Sequence, residues 1–334
     1  MEYYIITLAI IFCSDAVFAL GLNLQYGLCG IMNFGYIFFY ALGAYVAGAA
    51  ALGSQHTALA HSTGEQFLFG LNVGLPYPVN VLAAAVIGSA AASLVGLTLM
   101  RSLRADFAAL MSVALFLVAY GVIGNLTPLF NGYLGLSLIP TPLSSGEPSW
   151  GYLACCVIIL ILVVVIAVGI TTSPMGRRMR AVRDRPDVVQ SLGKSVFRTR
   201  WTVFVVGNGM AALAGAMAVL FLTGFSPSAW AFAETLNVYT AVIVGGSGSN
   251  LGTLLGTLLV GVGVVQGVLF LPPDNSVPYL IPSLQWVVLG LVTIAFIAFR
   301  PKGLVPERPP RRVMVDRPGR SIVARIQGKL GARP

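Results

Sequence analysis

Long apolar stretches separated by short polar ones make up most of this chain, from its first residues to about residue 300. A helix needs about 20 apolar residues to cross a bilayer, and most of the stretches reach that length. They predict an all-α polytopic membrane protein with about nine transmembrane helices, in a range of eight to ten. The predicted spans are 3–23, 29–53, 78–100, 105–127, 150–172, 201–223, 234–248, 250–271 and 283–299.

Glycine-rich sequence interrupts this pattern in the second half of the chain. The span 234–248 is short and runs into Gly245–Ser249, which reads GGSGS. A broken backbone at membrane depth is tolerated only where protein or a water-filled cavity surrounds it. We therefore predict interrupted helices here, while the small residues within other spans predict close contact between helix backbones.

The basic residues indicate how the chain is oriented. All 20 Lys and Arg residues lie in three stretches, at 101–104, 177–200 and 300–333. Short basic loops remain on the cytoplasmic side of a membrane. Two predicted spans separate the first stretch from the second, and four separate the second from the third, so all three face the same side. This predicts an external N-terminus, an internal C-terminus, and external loops at 54–77, 128–149, 224–233 and 272–282.

The composition argues against a soluble protein, since 57% of the residues are hydrophobic and only 9% are charged. The net charge of +9 lies in loops beside the spans, which favours membrane lipid and an intracellular protein over nucleic acid as partners. The four cysteines lie in apolar runs and are expected to be core residues. His56, His61 and Glu65 offer too few ligands for a metal site. We predict neither an enzyme nor a bound cofactor.

The inner loop at 173–200 has the features of a folded element. Asp184, Pro186 and Asp187 are spaced as an N-cap, an early helical proline and an acid at the third position of a short helix. Gly193 is expected to end that helix in a left-handed conformation. Two interpretations stay open on these residues: a rigid docking element, or a solvated basic loop whose charges only set the topology.

The same loop carries a family resemblance. Gly176–Gly193, which begins GRRMRAVRD and ends SLG, resembles the coupling loop of branched-chain amino acid ABC permeases of the LivM/LivH type. Further stretches are similar to that family in the same order, and some are closer to the LivM side. These stretches are Gly21–Gly35 with Gly43–Tyr45, Leu103–Ala108, Asn131–Leu136, Gly245–Gly252 with Gly256, and Phe299–Leu304.

Three positions depart from the family's pattern. Ala119–Gly121 lacks an acidic residue that LivM-type chains often carry, and Phe130–Gly132 stands where they have a Thr-Gly-Gly turn. Asp15 lies in a span that is usually apolar in the family. These differences bear on the transported substrate more than on the fold or the energy source.

The resemblance implies a permease subunit of an ABC importer for branched-chain or related amino acids, in the cell membrane of a prokaryote. It implies as partners a second related permease, two ATP-binding subunits and an extracytoplasmic substrate-binding protein. The loop is then expected to dock the ATPase. The residues predicted for this contact are Gly176, Arg177, Arg180, Ala181, Arg183, Asp184, Asp187, Leu192 and Gly193.

Polar groups inside spans are costly in lipid and are therefore candidates for a translocation path. Hydrogen bonding between helices is the alternative role for the amides among them, such as Gln25, Asn208 and Gln266. A zwitterionic amino acid needs a few polar groups for its charged ends and an apolar lining for an aliphatic side chain. The predicted path residues are Asn33, Phe34, Gly35, Glu234, Asn237, Tyr239, Gly245 and Gly246.

The sequence contains no G-x-x-x-x-G-K-[ST] motif, so ATP hydrolysis is expected from partner subunits. The alternative function is a self-sufficient secondary transporter or channel for a small polar solute, a class that usually carries ionisable groups within its spans. We divide the chain into a permease domain, 1–304, and a basic cytoplasmic tail, 305–334. The tail is predicted to be either an amphipathic helix on the inner leaflet or disordered, and truncation after Leu304 is expected to leave transport largely intact.

Overall fold

The computed structural model describes residues 2–51, 76–102, 105–125, 132–137, 139–141, 150–267 and 280–307. These residues are almost entirely helical, because apolar sequence in a bilayer must satisfy its backbone groups within each segment. The α-helices are α1 Glu2–Leu22, α2 Tyr36–Ala51, α3 Tyr77–Ser102, α4 Ala105–Asn125, α5 Trp150–Thr172, α6 Pro174–Asp184, α7 Pro186–Ser191, α8 Val196–Leu222, α9 Phe232–Gly245, α10 Asn250–Thr257 and α11 Leu280–Phe299.

A helix lies in each of the predicted apolar spans. Within the described ranges, five helical segments are both long and apolar enough to cross a membrane. This confirms an all-α polytopic membrane protein, while the count of nine crossings and the orientation stay predictions. The five segments are Glu2–Leu28, Tyr77–Arg101, Asp106–Asn125, Trp150–Thr172 and Val196–Leu222.

The helices are interrupted at two glycine-containing places. After α1 the chain continues as a π-helical turn, Asn23–Leu28, and is then irregular until α2 begins. Between α9 and α10 it breaks at Gly246, which has a φ of 113° that only glycine adopts easily. A second π-helical segment, Leu258–Gln266, follows α10. The interruption predicted at Gly245–Ser249 is confirmed, and the structure shows another one between α1 and α2.

The centre of the molecule is α8, of whose most apolar stretch 83% is buried, compared with 17% for α5. Helices α1 and α2 pack closely against α8 through small residues. A Cβ atom on Gly43 would collide with the backbone of Ala212, and one on Gly215 would collide with that of Tyr40. Such close backbone contact stabilises helix association in lipid, where the burial of apolar side chains contributes little free energy.

A buried tyrosine joins three segments of this centre. The hydroxyl of Tyr36 lies 2.9 Å from the carbonyl oxygen of Phe18 and 3.0 Å from that of Gly207. The cysteines are free, as expected for core residues; Cys13, Cys29 and Cys156 are buried and Cys155 is partly buried. Predictions for His56, His61, Glu65, most of the loops 54–77, 128–149 and 272–282, and the tail from Arg308 onward fall outside the described residues.

Candidate functional site

The inner loop folds into two consecutive helices, α6 and α7. Ser173 caps α6, since its Oγ accepts a hydrogen bond from the N–H of Met175 at 3.1 Å, and Pro174 occupies the first turn. The Ser-Pro pair is a helix-start signal that the sequence analysis passed over. Pro186 opens α7 as predicted. The loop is therefore a folded element.

The predicted cap at Asp184 is wrong. Asp184 is the last residue of α6, and its carboxylate accepts a hydrogen bond from Arg183 Nε at 3.1 Å. Arg185 occupies the N-cap position of α7, with φ −150° and ψ 81° and no side-chain cap. The reason is that a residue preceding proline is pushed out of the α region, so the helical break falls at Arg185.

Gly193 ends α7 as predicted. Its φ is 71°, and its N–H donates to the carbonyl of Gln190 at 2.9 Å. The N–H of Lys194 donates to the carbonyl of Val189 at 3.1 Å. These two bonds form a Schellman motif, which requires the left-handed conformation at Gly193. No neighbouring atom lies within 4 Å of the place where a Cβ would stand, so the backbone conformation alone demands glycine.

The two helices have a buried face and an exposed face. Met179 and Val182 are fully buried, and Gly176 lies against the backbone of Thr171. The opposite face carries apolar groups that the described residues leave uncovered, since Val188 is 47% exposed and Leu192 is 72% exposed. The further exposed positions among the predicted docking residues are Arg177, Ala181, Asp184, Asp187 and Gly193.

Two arginines of α6 connect this loop to the rest of the chain. Arg183 donates through Nη1 to the carbonyl oxygen of Gly27, in the π-helical turn after α1. Glu307 holds both arginines, with Oε1 at 2.5 Å from Arg180 Nε and Oε2 at 3.0 Å from Arg183 Nη2. Burial lowers the pKa of Arg183, but the carboxylates of Asp184 and Glu307 outweigh it and the pKa is raised.

Glu307 reaches these arginines because the chain after α11 folds back as a strap, which we define as residues 300–307. The N–H of Leu304 donates to the carbonyl of Val244 at 2.9 Å, and that of Val305 to the carbonyl of Gly245 at 3.0 Å. Gly246 lies against the backbone of Lys302 and Val305. The packed part of the chain thus extends beyond residue 304, where the sequence analysis set the end of the permease domain.

Three amides form a buried cluster in the centre of the molecule. Asn33 Nδ2 donates to Gln25 Oε1 at 3.1 Å and to Asn208 Oδ1 at 3.0 Å, and Gln25 Nε2 donates to Asn208 Oδ1 at 3.2 Å. The backbone N–H of Asn33 donates to the hydroxyl of Tyr239 at 2.9 Å. The next two N–H groups, of Phe34 and Gly35, lie 3.1 and 3.2 Å from the hydroxyl oxygen of Ser112. These contacts fit the alternative role that the sequence offered for the amides, which is hydrogen bonding between helices.

A cavity of about 100 Å³ lies between α1, α2, α9 and the second π-helical segment. Asp15 and Glu234 both line it, together with Asn237, Tyr40 and Thr257. Asn237 Nδ2 donates to Glu234 Oε2 at 2.9 Å, whereas Asn237 Oδ1 has no partner among the described residues. The cavity lining thus combines polar side chains from several helices with apolar ones.

The structure separates the predicted path residues into three groups. Glu234 and Asn237 line the cavity. Tyr239 is two residues beyond Asn237 on α9 but does not line the cavity, and it contacts Asn33 and Phe34 instead, next to Gly35. Gly245 and Gly246 pack against the strap and do not line the cavity. Asp15, a polar group within a span that was not among the predicted path residues, joins the first group.

Comparison with known proteins gives consistent results. Residues 4–297 match the family described as "Branched-chain amino acid transport system / permease component". A probable branched-chain amino acid transport permease protein LivM from Methanocaldococcus jannaschii is 23% identical over 94% of this chain and 95% of its own. The high-affinity branched-chain amino acid transport system permease proteins LivM and LivH of Escherichia coli K12 are each 26% identical to this chain.

The alignment with the Escherichia coli LivM covers 88% of this chain and 68% of the relative, and that with its LivH covers 74% and 79%. No solved structure gives a significant match. The family match spans most of the chain, and the described residues have the apolar helices of a membrane protein. The chain therefore belongs to the branched-chain amino acid transport permease family.

Proposed function

We propose that this chain is one permease subunit of an ABC importer for branched-chain or related amino acids, and that residues 173–200 dock a separate ATPase subunit. The relatives are named as branched-chain amino acid transport permeases, and the similarity extends to both LivM and LivH. That double similarity supports pairing with a second related permease. The expected setting is the cell membrane of a prokaryote, with an extracytoplasmic binding protein that delivers substrate.

The observation that carries the docking proposal is the two-sided character of α6 and α7. One face is anchored by Met179 and Val182, while Val188 and Leu192 remain exposed on a helix pair that lies outside the apolar spans. A loop that served only to set topology needs positive charge but neither a Schellman ending nor an exposed apolar face. A protein partner that covers Leu192 accounts for the exposed apolar face and for the fixed helix ending next to it.

The connection through Arg183 provides the route for coupling. Its guanidinium joins α6 to the π-helical turn after α1, which leads directly into the buried amide cluster around Asn33. A displacement of α6 is therefore transmitted to the irregular backbone between α1 and α2. The cavity beside Glu234 is the polar place that we assign to the translocation path, and the amide cluster joins the segments next to it.

Replacement of Gly193 by valine tests the docking role. A β-branched residue is strained at a φ of 71°, so the Schellman ending and the position of Leu192 should be lost. We expect stimulated ATPase activity and uptake to fall together, at least about tenfold as for a typical coupling free energy, in a complex of the two permeases and the ATPases. Gly193→Asn is the matched control, because asparagine tolerates the left-handed region and should retain most of the activity.

Normal uptake by a Gly193→Val chain that inserts normally would contradict the docking role. The alternative function, a self-sufficient transporter or channel, is tested separately. The purified chain alone in liposomes is expected to give no uptake without the ATPase subunits. Uptake under those conditions would exclude the importer proposal whatever Gly193→Val does.

A further inference from the structure

Two acidic side chains line the cavity beside α9 from different helices. Asp15 lies in the interior of α1, and Glu234 lies in the first turn of α9. Neither forms an ion pair within the described part of the chain, and the described lining contains no basic side chain. Two negative charges at one place inside a membrane protein repel each other and lose their hydration, so one of the two carboxyl groups retains its proton.

The surroundings of the two carboxyl groups decide which one is ionised. Asn237 Nδ2 donates to Glu234 Oε2 at 2.9 Å, and the first turn of a helix favours a negative charge because its N–H groups are unpaired. Asp15 has neither advantage, since it lies within a helix and accepts no hydrogen bond from the described residues. Glu234 therefore carries the negative charge, and Asp15 carries the proton.

An unpaired amide oxygen in the same cavity points to a ligand. Asn237 is only 8% exposed and lines the cavity beside Glu234. Its Nδ2 is used by Glu234, but its Oδ1 has no hydrogen-bond partner among the described residues. A buried amide oxygen without a donor costs free energy and is rare unless a ligand or water completes it.

The cavity offers acceptors for one end of an amino acid and donors for the other. An ammonium group has three N–H donors and one positive charge, so it satisfies the free oxygen of Asn237 and balances the charge of Glu234. The hydroxyl of Tyr40 and the protonated carboxyl of Asp15 line the same cavity and can both donate to a carboxylate. The titratable side chains of the described lining are these two and Glu234.

We propose that Glu234 and Asn237 bind the ammonium group of the transported amino acid, and that Asp15 takes part as a neutral acid. The single negative charge of Glu234 then meets a single positive charge, and the carboxylate of the substrate meets the donors Tyr40 and Asp15. This inference rests on the proposed permease function and assigns substrate contacts within it.

Thermal unfolding of the full-length chain in nanodiscs of neutral lipid tests the ammonium contact. The two probes are L-leucine and L-2-hydroxy-4-methylpentanoate, in which a hydroxyl replaces the ammonium group of leucine. Leucine should stabilise the chain at concentrations at least about tenfold lower than the hydroxy acid, because leucine alone supplies a charge-assisted hydrogen bond to Glu234. The pH is kept neutral and the ionic strength constant.

Variants separate the roles of the lining residues. Glu234→Gln should remove most of the preference for leucine over the hydroxy acid, and Asn237→Leu should reduce it. Asp15→Asn keeps a neutral side chain of the same shape and should retain the preference. Asp106→Asn, at an exposed acid of α4 outside the cavity, is the control and should change nothing. Correct folding of each variant is checked by its unfolding midpoint without a probe.

Infrared spectroscopy tests the proton on Asp15 without any ligand. A protonated carboxyl group has a carbonyl-stretching band that is distinct from the bands of a carboxylate or an amide. At neutral pH, the difference spectrum between the unsubstituted chain and Asp15→Asn should contain this band.

Several results would overturn the inference. These are equal stabilisation by the two probes, no stabilisation by leucine, an unchanged leucine preference in Glu234→Gln or Asn237→Leu, its loss in Asp15→Asn, or no acid band that depends on Asp15. None of them touches the permease proposal, which depends on ATPase coupling through Gly193. Loss of that coupling role, with the leucine preference intact, would leave an amino-acid-binding cavity in a transporter of another kind.

Discussion

The hydroxyl of Tyr239 accepts the N–H of Asn33 from a segment 206 residues away in the chain. This contact closes the irregular backbone between α1 and α2 against α9. The ring of Tyr239 also packs against Phe34, with ring centroids 5.3 Å apart. The Tyr239 side chain therefore provides both a hydrogen bond and an apolar contact to the irregular backbone between α1 and α2.

Replacement of Tyr239 by phenylalanine should isolate the polar part of this support. The ring contacts remain, while the N–H of Asn33 loses its acceptor. We expect a loss of about 1 kcal/mol in stability, between the small average coupling of interhelical hydrogen bonds in membranes and the cost of an unpaired buried donor. Thermal unfolding in nanodiscs measures it, and Tyr3→Phe, at a tyrosine that is 61% exposed, is the control. An unchanged midpoint would mean that water replaces the hydroxyl.

Features that depend on neighbouring residues could be predicted from the sequence, whereas contacts between distant segments could not. Gly193 and Pro186 were predicted correctly, because a left-handed helix ending and a first-turn proline depend on neighbours in the chain. Asp184 was assigned wrongly because the restriction before proline moved the helical break to Arg185. The partner of Asn33 could not be found, since nothing in one sequence pairs it with Tyr239.

At the scale of elements, the strap holds the inner loop against the membrane helices. Glu307 contacts Arg180 and Arg183, and all three side chains are 17–27% exposed, so the pairs are screened less than surface ion pairs. The strap itself is joined to the end of α9 by two backbone hydrogen bonds. Loop, strap and the glycine break between α9 and α10 therefore form one connected unit.

Replacement of Glu307 by glutamine should loosen this unit. Two partly buried arginines lose their carboxylate, and we expect the free energy of opening α6 to fall by about 2 kcal/mol. Faster hydrogen–deuterium exchange in Pro174–Asp184 measures the change. Asp184→Asn is the matched control, since the Asp184 side chain is 64% exposed and its pair with Arg183 should contribute little.

Truncation tests the same unit without a side-chain change. A chain that ends after Glu307 retains the strap, and a chain that ends after Leu304 loses the Val305 hydrogen bond and both ion pairs. Hydrogen–deuterium exchange in α6 should be faster in the chain that ends after Leu304 than in the chain that ends after Glu307. Truncation after Leu304 was expected from the sequence to leave transport largely intact, and these contacts add the prediction that the same truncation loosens α6. Equal exchange in the two chains would show that the strap does not support the loop.

For the whole molecule, the orientation is the prediction that most needs a direct measurement. We expect a cysteine at Ser191 to react with an impermeant reagent only in inside-out vesicles, and one at Tyr133 to react only in intact cells. Both positions are exposed, and the background lacks the four native cysteines. Reaction of Ser191→Cys in intact cells would reverse the orientation and remove the docking proposal with it.

The overall class followed from hydropathy alone, because apolar length decides which segments are helical in a bilayer. The arrangement of those helices did not follow. The burial of α8 and the exposure of α5 differ widely, although α5 is the more apolar, with a mean hydropathy of 3.5 compared with 2.0. In a bilayer the most apolar helix can face the lipid without cost. The helix at the centre is the one whose small residues, such as Gly215, allow close backbone contact with its neighbours.

The backbone contacts of Gly43 and Gly215 also have a mechanical consequence. Helices whose backbones touch and share the Tyr36 hydrogen bonds cannot slide past one another, so α1, α2 and α8 behave as a single block. Arg183 contacts that block through a hydrogen bond to the carbonyl oxygen of Gly27, in the π-helical turn after α1. By the docking proposal, a movement of α6 shifts this whole block, and the chain leaves the block after α8, at Thr223, where the backbone turns with a φ of 57°.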